Sequence, residues 1–469
     1  MARAGLGWVA GTSATLLTTV VPATIASTEY WDLALWQGVV IALTVGQVFG
    51  AASFALAALL AGDPGRGPGA LAALRVGAAW AGAEWVRSTA LTGLPWLLLA
   101  HSLVPAPALI QAAEFGGELF VSFMIAVLNC GLLLAFLSGR RRAGLLVVAA
   151  VSIGFVAAAL RMPGEGEAGS VRAAKGSPLA WSGSSRVLLV QANLPNHLRT
   201  DPAHVHPALE GLVELSRRER PIDLTVWPEN AVNVTLPMNE NLVGTAARGL
   251  HSGYLLLGTP RIEGSARPAL YNSAVLFGPD GHIRQSHDKH RLLPFAEYWP
   301  EPLGRLDLPG VITTAGGPPR VMVAGDLRLG SMICYEIVFA QTAHALARDG
   351  AEVLVNLSNE SWFESSGAID QHFAAAVMRA VETRRPVLRS TQTGITAAID
   401  SGGRVQARLP AERAGVLEVE VRPSREKTWA TRLGGAAGVC GLLIASAMTL
   451  HEAMAHRRRG RGIASREYS

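Results

Sequence analysis

The first 161 residues contain only 14 Asp, Glu, Lys or Arg, and the uncharged runs between them are long. A helix needs about 20 consecutive apolar residues to cross roughly 30 Å of hydrocarbon. Runs of that order lie near 5–27, 33–61, 69–87, 117–138 and 143–161, and a sixth, 433–450, carries no charge at all. The pattern predicts a multi-span α-helical membrane domain over 1–161 and a closing membrane helix at 433–450. Arg75 and Glu84 make the third run the weakest of the six. Between runs three and four, LPWLLLAHSLVPAPALIQAAEF has three prolines in 22 residues. It reads as a broken interfacial or re-entrant segment, because proline removes helix donors.

Residues 162–432 are of another kind, with 56 charged residues in 271. About a quarter charged is usual for a soluble domain, so this stretch belongs in water. Short cytoplasmic loops favour Lys and Arg. Arg140, Arg141 and Arg142 between runs four and five, and Arg457, Arg458, Arg459 and Arg461 after the last run, place both clusters in the cytoplasm. The charged domain then faces the periplasm or exterior, and 451–469 is a basic cytoplasmic tail. The net charge of +5 owes much to these clusters, so nucleic-acid binding is not implied. One arginine before the first run, with more runs behind it, argues against a cleaved signal peptide. Cys130 and Cys440 fall in apolar runs, leaving Cys334 alone in the charged domain, without a partner for an internal disulfide.

Within that domain, short β-branched runs recur: RVLLVQAN, DLTVWPE, GYLLLGTP, YNSAVLFG, LRLGSMIC, AEVLVNLS, RPVLRSTQ and GITAAID. Helical stretches such as HPALEGLVELSRRER and QHFAAAVMRAVETRR separate several of them. This is an α/β pattern with sheets covered by helices, joined to the fifth apolar run by a Gly/Ser/Ala-rich linker over 162–185. Three strand ends carry reactive side chains: Glu229 in DLTVWPE, Lys289 in SHDKHRLLPFAEYWP and Cys334 in LRLGSMIC. A thiol at the start of a helix is expected to gain thiolate character from the helix dipole. A carboxylate can take its proton and an ammonium can stabilise an oxyanion. Taken singly, the three also fit a turn carboxylate, a solvated charge run and a buried hydrophobe.

WPE, DKHRLLPFAEYWP and ICYE resemble, in this order, the three signatures of the nitrilase (carbon–nitrogen hydrolase) superfamily, over residues 186–422. The resemblance implies an αββα sandwich with a Glu229, Lys289, Cys334 triad. The membrane flanks, with EWVRSTALTGLPW, NLSNESWF and PVLRSTQTGITAAID, resemble the superfamily's membrane branch, the apolipoprotein N-acyltransferases. That likeness implies an inner-membrane enzyme without metal or cofactor. It would take an acyl chain from the sn-1 position of a phospholipid, hold it as a Cys334 thioester, and pass it to the α-amine of a diacylglyceryl-prolipoprotein. Glu229 would be the general base and Lys289 the oxyanion stabiliser. Glu297, Tyr335, Glu336 and Asn272 would support the site. The Pro- and Gly-rich run 294–320 would form a lid, with Phe295, Tyr298, Trp299, Trp362 and Phe363 facing lipid. Glu360 stands where the family more often carries Asp. Nothing in the sequence demands an oligomer, so a monomer is expected. A membrane-tethered amidase and a non-catalytic scaffold are the alternatives.

Overall fold

A computed structural model describes residues 2–18, 20, 24, 34–63, 68–136, 139–174, 183–194, 202–250, 252–264, 268–300, 313–363 and 366–467. The N-terminal third is helical: α1 (Ala2–Thr18), α2 (Leu35–Ala61, with a π turn at Gly46–Ala51), α3 (Gly69–Thr89), α4 (Ala113–Phe136) and α5 (Arg141–Ala159). Three of these, α2, α4 and α5, are long and apolar enough to cross a membrane. The expected broken segment contains two short 3-10 turns, Leu99–Leu103 and Pro107–Ile110.

The charges that weakened the third run find partners inside the helical bundle. Arg75 Nε donates to the Leu60 carbonyl at 2.8 Å, and Glu84 Oε1 accepts from Trp80 Nε1 at 3.0 Å and Leu99 N at 2.7 Å. Paired ionisable groups facing a bundle interior are the tolerable kind in a membrane segment. The last helix, Ala436–Glu467, packs on α3 so closely that a Cβ at Gly82 would lie 2.7 Å from the Leu442 backbone.

The charged domain is a two-sheet sandwich. One sheet has seven strands in the order β1-β13-β2-β3-β4-β5-β6 and the other six in the order β12-β11-β10-β9-β8-β7. The strands are β1 (Val171–Ala173), β2 (Ser185–Gln191), β3 (Ile222–Val226), β4 (Ser252–Glu263), β5 (Ala269–Phe277), β6 (Ile283–Asp288), β7 (Val321–Ala324), β8 (Leu327–Ile333), β9 (Val353–Ser358), β10 (Val387–Thr391), β11 (Ala397–Ile399), β12 (Val405–Arg408) and β13 (Gly415–Val421). The β2–β3–β4 and β8–β9–β10 pairings are parallel. All eight expected strands are present. β1 falls inside the expected linker and pairs with β13, so part of that linker is sheet; 175–182 lies outside the described residues.

Period-two alternation explains the layering. Val187, Leu189, Leu224, Val226 and Leu256 of the first sheet meet Leu329, Ile333, Val353, Val355 and Leu388 of the second in one buried core. The intervening residues Leu188, Val190, Leu255 and Leu257 point outward, under helices α6 (Val205–Ser216) and α7 (Glu240–Gly249). On the second sheet, Met332, Leu354 and Val387 pack under α8 (Ala340–Arg348) and α9 (Ala368–Thr383), and the same cluster takes in Val121, Met124 and Phe155 of the membrane helices. The architecture is therefore α-β-β-α, with the outer layer beyond the second sheet continuous with the membrane half. Helices α10 (Trp429–Leu433) and α11 (Ala436–Glu467) follow. The side chains of the Arg457–Arg461 cluster lie outside the described residues.

Candidate active site

Each member of the Glu, Lys, Cys set stands just past a strand end. β3 runs into Trp227, which is fully buried and donates from Nε1 to Ser216 Oγ at 2.9 Å, then into Pro228 and Glu229. Gly258 on the neighbouring strand makes room for this turn, since a Cβ there would sit 2.5 Å from Glu229 Cα. Lys289 follows β6, and its amide donates to the Asn272 carbonyl of β5 at 2.8 Å. Cys334 follows β8 in a left-handed conformation, φ +47°. Such a conformation costs a non-glycine residue about 1–3 kcal/mol and persists only where the surroundings enforce it.

The three ends converge. Lys289 Nζ lies 3.4 Å from Glu229 Oε1 and 2.9 Å from Glu297 Oε1. Asn272 Nδ2 bridges the two carboxylates, at 2.7 Å from Glu229 Oε1 and 3.1 Å from Glu297 Oε1. The other Glu229 oxygen accepts from the Asn359 amide at 2.7 Å, and the Asn359 carbonyl lies 4.0 Å from Cys334 Sγ. The backbone of one residue of the NLSNESWF segment, Asn359, thus touches both the carboxylate and the thiol. Lys289, Glu229 and Cys334 are 2%, 4% and 7% exposed, so their charges act on one another with little solvent screening.

Burial alone would push the Lys289 ammonium towards neutrality, but the carboxylates of Glu297 and Glu229 outweigh it and drive its pKa well above the ordinary lysine value. Burial pushes the Cys334 thiol up to about 12, and the Glu229 carboxylate adds to the effect against the pull of Lys289. The resting state is a thiol beside a carboxylate and an ammonium. This corrects the expectation of a dipole-stabilised thiolate. The chain after Cys334 is a five-residue 3-10 turn, Cys334–Val338, and α8 begins only at Ala340, so no long helix aims its N-terminus at the sulfur.

The supporting residues have distinct places. Glu297 and Asn272 touch Lys289 and Glu229 directly. Glu336 is fully buried and accepts from Ile333 N at 2.8 Å, His290 N at 2.8 Å, Arg291 N at 3.2 Å and His287 Nε2 at 2.9 Å. It fastens the lysine loop to the cysteine turn. Its burial is opposed by His287 and these amides, which hold its pKa below the usual carboxylate value. Tyr335 donates its hydroxyl to the Gly93 carbonyl of the membrane half at 3.2 Å.

The aromatic loop residues divide. Phe295, Tyr298 and Trp299 are half-buried, and Phe295 stacks edge-on to Trp299 at 6.1 Å. Phe363 packs on Trp96 of the membrane half at 5.9 Å. The Trp362 side chain and residues 301–312 of the expected lid lie outside the described residues. Among the described residues, no cluster of three His, Cys, Asp or Glu side chains is arranged to hold a metal.

Family models agree with this two-part construction. The model of carbon-nitrogen hydrolase matches residues 186–431, and that of the apolipoprotein N-acyltransferase N-terminal domain matches residues 1–131. An apolipoprotein N-acyltransferase of Geobacter metallireducens is 31% identical over 407 residues, covering 81% of this chain and 74% of that protein. One from Pseudomonas putida is 34% identical over 393 residues, covering 80% and 74%. The chain belongs to the apolipoprotein N-acyltransferase family. It is an acyltransferase on a nitrilase-type sandwich and, with its apolar helices, a membrane protein. Among solved structures, an amidase from Nesterenkonia sp. is 20% identical, covers 53% of this chain and 95% of its own, and has a TM-score of 0.42.

Four buried residues around the Cys334 turn are not singled out by the sequence: Asn356, Asn359, His372 and Arg389. A charged residue directly after Val387 and Leu388 in the strand-forming run RPVLRSTQ is the available signal for Arg389. His372 offered less, as one polar residue near the start of an apolar helix.

Proposed function

We propose that this N-acyltransferase takes an acyl chain from the sn-1 position of a membrane phospholipid and delivers it to the α-amino group of an N-terminal diacylglyceryl-cysteine. The observation that carries the reading is the junction of Glu229, Lys289, Glu297 and Cys334 at strand ends that abut the membrane half. In the first half-reaction Glu229 takes the thiol proton as Sγ attacks the ester carbonyl. The tetrahedral oxyanion forms beside Lys289, which Glu297 and Asn272 hold in place and keep charged. Collapse breaks the ester C–O bond, Glu229 returns the proton to the departing lysophospholipid oxygen, and an acyl thioester is left on Cys334. In the second, the acceptor amine attacks the thioester, its proton passes to Glu229 and on to the departing sulfur as the C–S bond breaks, and Cys334 is regenerated as a thiol. A buried, high-pKa thiol suits this sequence, because the sulfur is activated only when a base can accept its proton.

Residues 1–161 and 433–450 anchor the protein in the inner membrane, with 162–432 on the periplasmic side and the C-terminus in the cytoplasm. The half-buried Phe295, Tyr298 and Trp299 face the acyl chains. Quenching of Trp299 by bromolipids tests that placement, and an unquenched Trp299 refutes it.

The deciding experiment incubates purified protein in nanodiscs with phospholipid and a diacylglyceryl lipopeptide. Mass spectrometry should find an acyl thioester at Cys334 without acceptor and an N-acylated peptide with it. Cys334→Ser should form neither. Free fatty acid without N-acylated peptide would mean a hydrolase instead.

A further inference from the structure

The motif TGLPW in the membrane half is not part of the chemistry above, yet it touches both sides of the nucleophile's turn. The backbone of Cys334 is held from below by an imidazole: His372 Nε2 lies 3.1 Å from the Cys334 carbonyl oxygen, with Asn356 Nδ2 at 3.4 Å. A carbonyl only accepts, so Nε2 carries the proton. His372 is 1% exposed and its other nitrogen is clamped, with Arg389 Nη2 3.1 Å from Nδ1 and the Glu360 carboxylate close beside both. Arg389 also binds Glu360 and Asn356. Side chains from α9, β9, β10 and the loop after β9 thus meet under one peptide bond.

The membrane half closes this assembly. The Trp96 ring stacks on the His372 imidazole at 5.6 Å and 20°, and its Nε1 donates to Gln371 next door. Three residues earlier, the Gly93 carbonyl accepts from the Tyr335 hydroxyl at 3.2 Å. A trans peptide is planar, so fixing the Cys334 carbonyl sets the plane of the Cys334–Tyr335 peptide and, through it, the strained turn that aims Sγ.

We propose that His372 is a positioning residue for the Cys334 nucleophile, acting by its Nε2–H bond to the Cys334 carbonyl, and that Trp96 of the membrane half clamps it in that pose. The inference rests on Cys334 being the acylated residue. His372 does not exchange protons with substrate. Burial and Arg389 together depress its pKa, in keeping with a neutral ring whose Nδ1 accepts from Arg389. The nucleophile is aligned only with the two halves docked, which ties the chemistry to the membrane.

Two amides of different reach test this. In His372→Gln the terminal NH2 extends to the place of Nε2, whereas in His372→Asn it stops short by one methylene. Single-turnover thioester formation should be about 10- to 100-fold slower in the Asn variant, the penalty of a displaced reacting group. The Gln variant should recover most of the rate. The KM for phospholipid should change by less than about twofold in both, since ground-state binding is untouched. Trp96→Leu, which leaves the imidazole but removes its clamp, should also slow acylation. Equal rates in folded Gln and Asn variants, or an unchanged rate in Trp96→Leu, overturn the proposal. If neither His372 variant folds, the Trp96→Leu rate decides. A missing thioester in the unaltered enzyme would instead defeat the acyl-transfer reading itself.

Discussion

Replacing Glu229 with Gln should make the thiol more reactive and the enzyme less active. With its pKa at about 12, Cys334 is ionised in roughly one molecule in 10⁴ at pH 8. Burial is the larger cause, and the Glu229 carboxylate is the next. Gln removes the charge and leaves burial and Lys289 in place, so the thiol pKa must fall. A neighbouring like charge accounts for about one to three pH units. The thiolate fraction at pH 8, and with it the rate of alkylation by iodoacetamide, should therefore rise roughly 10- to 1,000-fold in Glu229→Gln. In the proposed mechanism the carboxylate accepts and returns a proton, so acyl transfer should fall about 10²- to 10⁴-fold.

The assay is alkylation followed by mass at Cys334 from pH 7 to 10, beside thioester formation from phospholipid. In the unaltered enzyme alkylation should climb about tenfold per pH unit without a plateau, because the midpoint lies above the range. In the Gln variant the curve should bend at lower pH. A Gln variant that alkylates no faster at pH 8 and keeps the same midpoint would show that Glu229 does not govern the sulfur's charge, and the general-base assignment would fall with it.

Lys289→Met should abolish thioester formation and destabilise the domain by about 3 kcal/mol or more, since it strips a buried carboxylate pair of its cation; a thermal melt in nanodiscs measures it. Gly258→Ala should cost most of the activity with the triad intact, because the new Cβ meets the Glu229 backbone at 2.5 Å; unchanged turnover would refute the close-packing argument. The His287–Glu336 pair gives a pH signature. Glu336 counters the burial of His287 and raises its pKa, while His287 helps to depress that of Glu336. The stabilisation is full between roughly pH 4.3 and 6.5, the unfolded values. It fades as pH falls through the lowered Glu336 value and as pH rises through the raised His287 value. The melting temperature should decline on the alkaline side, and Glu336→Gln should flatten that slope.

The strand ends were legible because a reactive residue after a β-branched run is a local pattern, and the sandwich core followed from period-two alternation. The thiol's ionisation was not legible. The sequence placed Cys334 before a helical stretch, but a 3-10 turn intervenes and burial beside Glu229 reverses the expected shift. His372 and Arg389 escaped for a related reason: their importance lies in which carbonyl and carboxylate they reach, across separations of 38 and 29 residues. A departure from the family's usual residue was read at Glu360, and its meaning came only with its partners.

The charges in α4 show why the halves belong to one enzyme. Glu114 and Glu118 open an otherwise apolar helix, where an unpaired carboxylate would be costly. Within the membrane half Glu114 pairs with Arg161 and Glu118 with His101, at 2.9 Å for the latter, and the catalytic domain supplies a second partner for each. Arg384 Nη2 lies 2.5 Å from Glu114 Oε2, and Arg379 Nη2 lies 2.5 Å from Glu118 Oε2, while the Glu118 amide donates to Glu382 at 2.7 Å. Arg379 and Arg384 are themselves fully buried, so the ion pairs that cross between the halves are shielded from solvent. Arg379 also donates to the Val338 carbonyl at 3.2 Å, at the end of the turn that begins with Cys334, so the same contact that docks the helix steadies that turn. Arg379→Met and Glu118→Leu should each destabilise by about 3–5 kcal/mol, as expected when one member of a buried pair is removed. The double variant should lose less than the sum, because it removes both members of the pair together, while Glu382, which also pairs with Arg379, keeps His344 and the amide of residue 118. Melting of the four proteins in nanodiscs closes the cycle, and strict additivity would mean that the two halves dock without this pair.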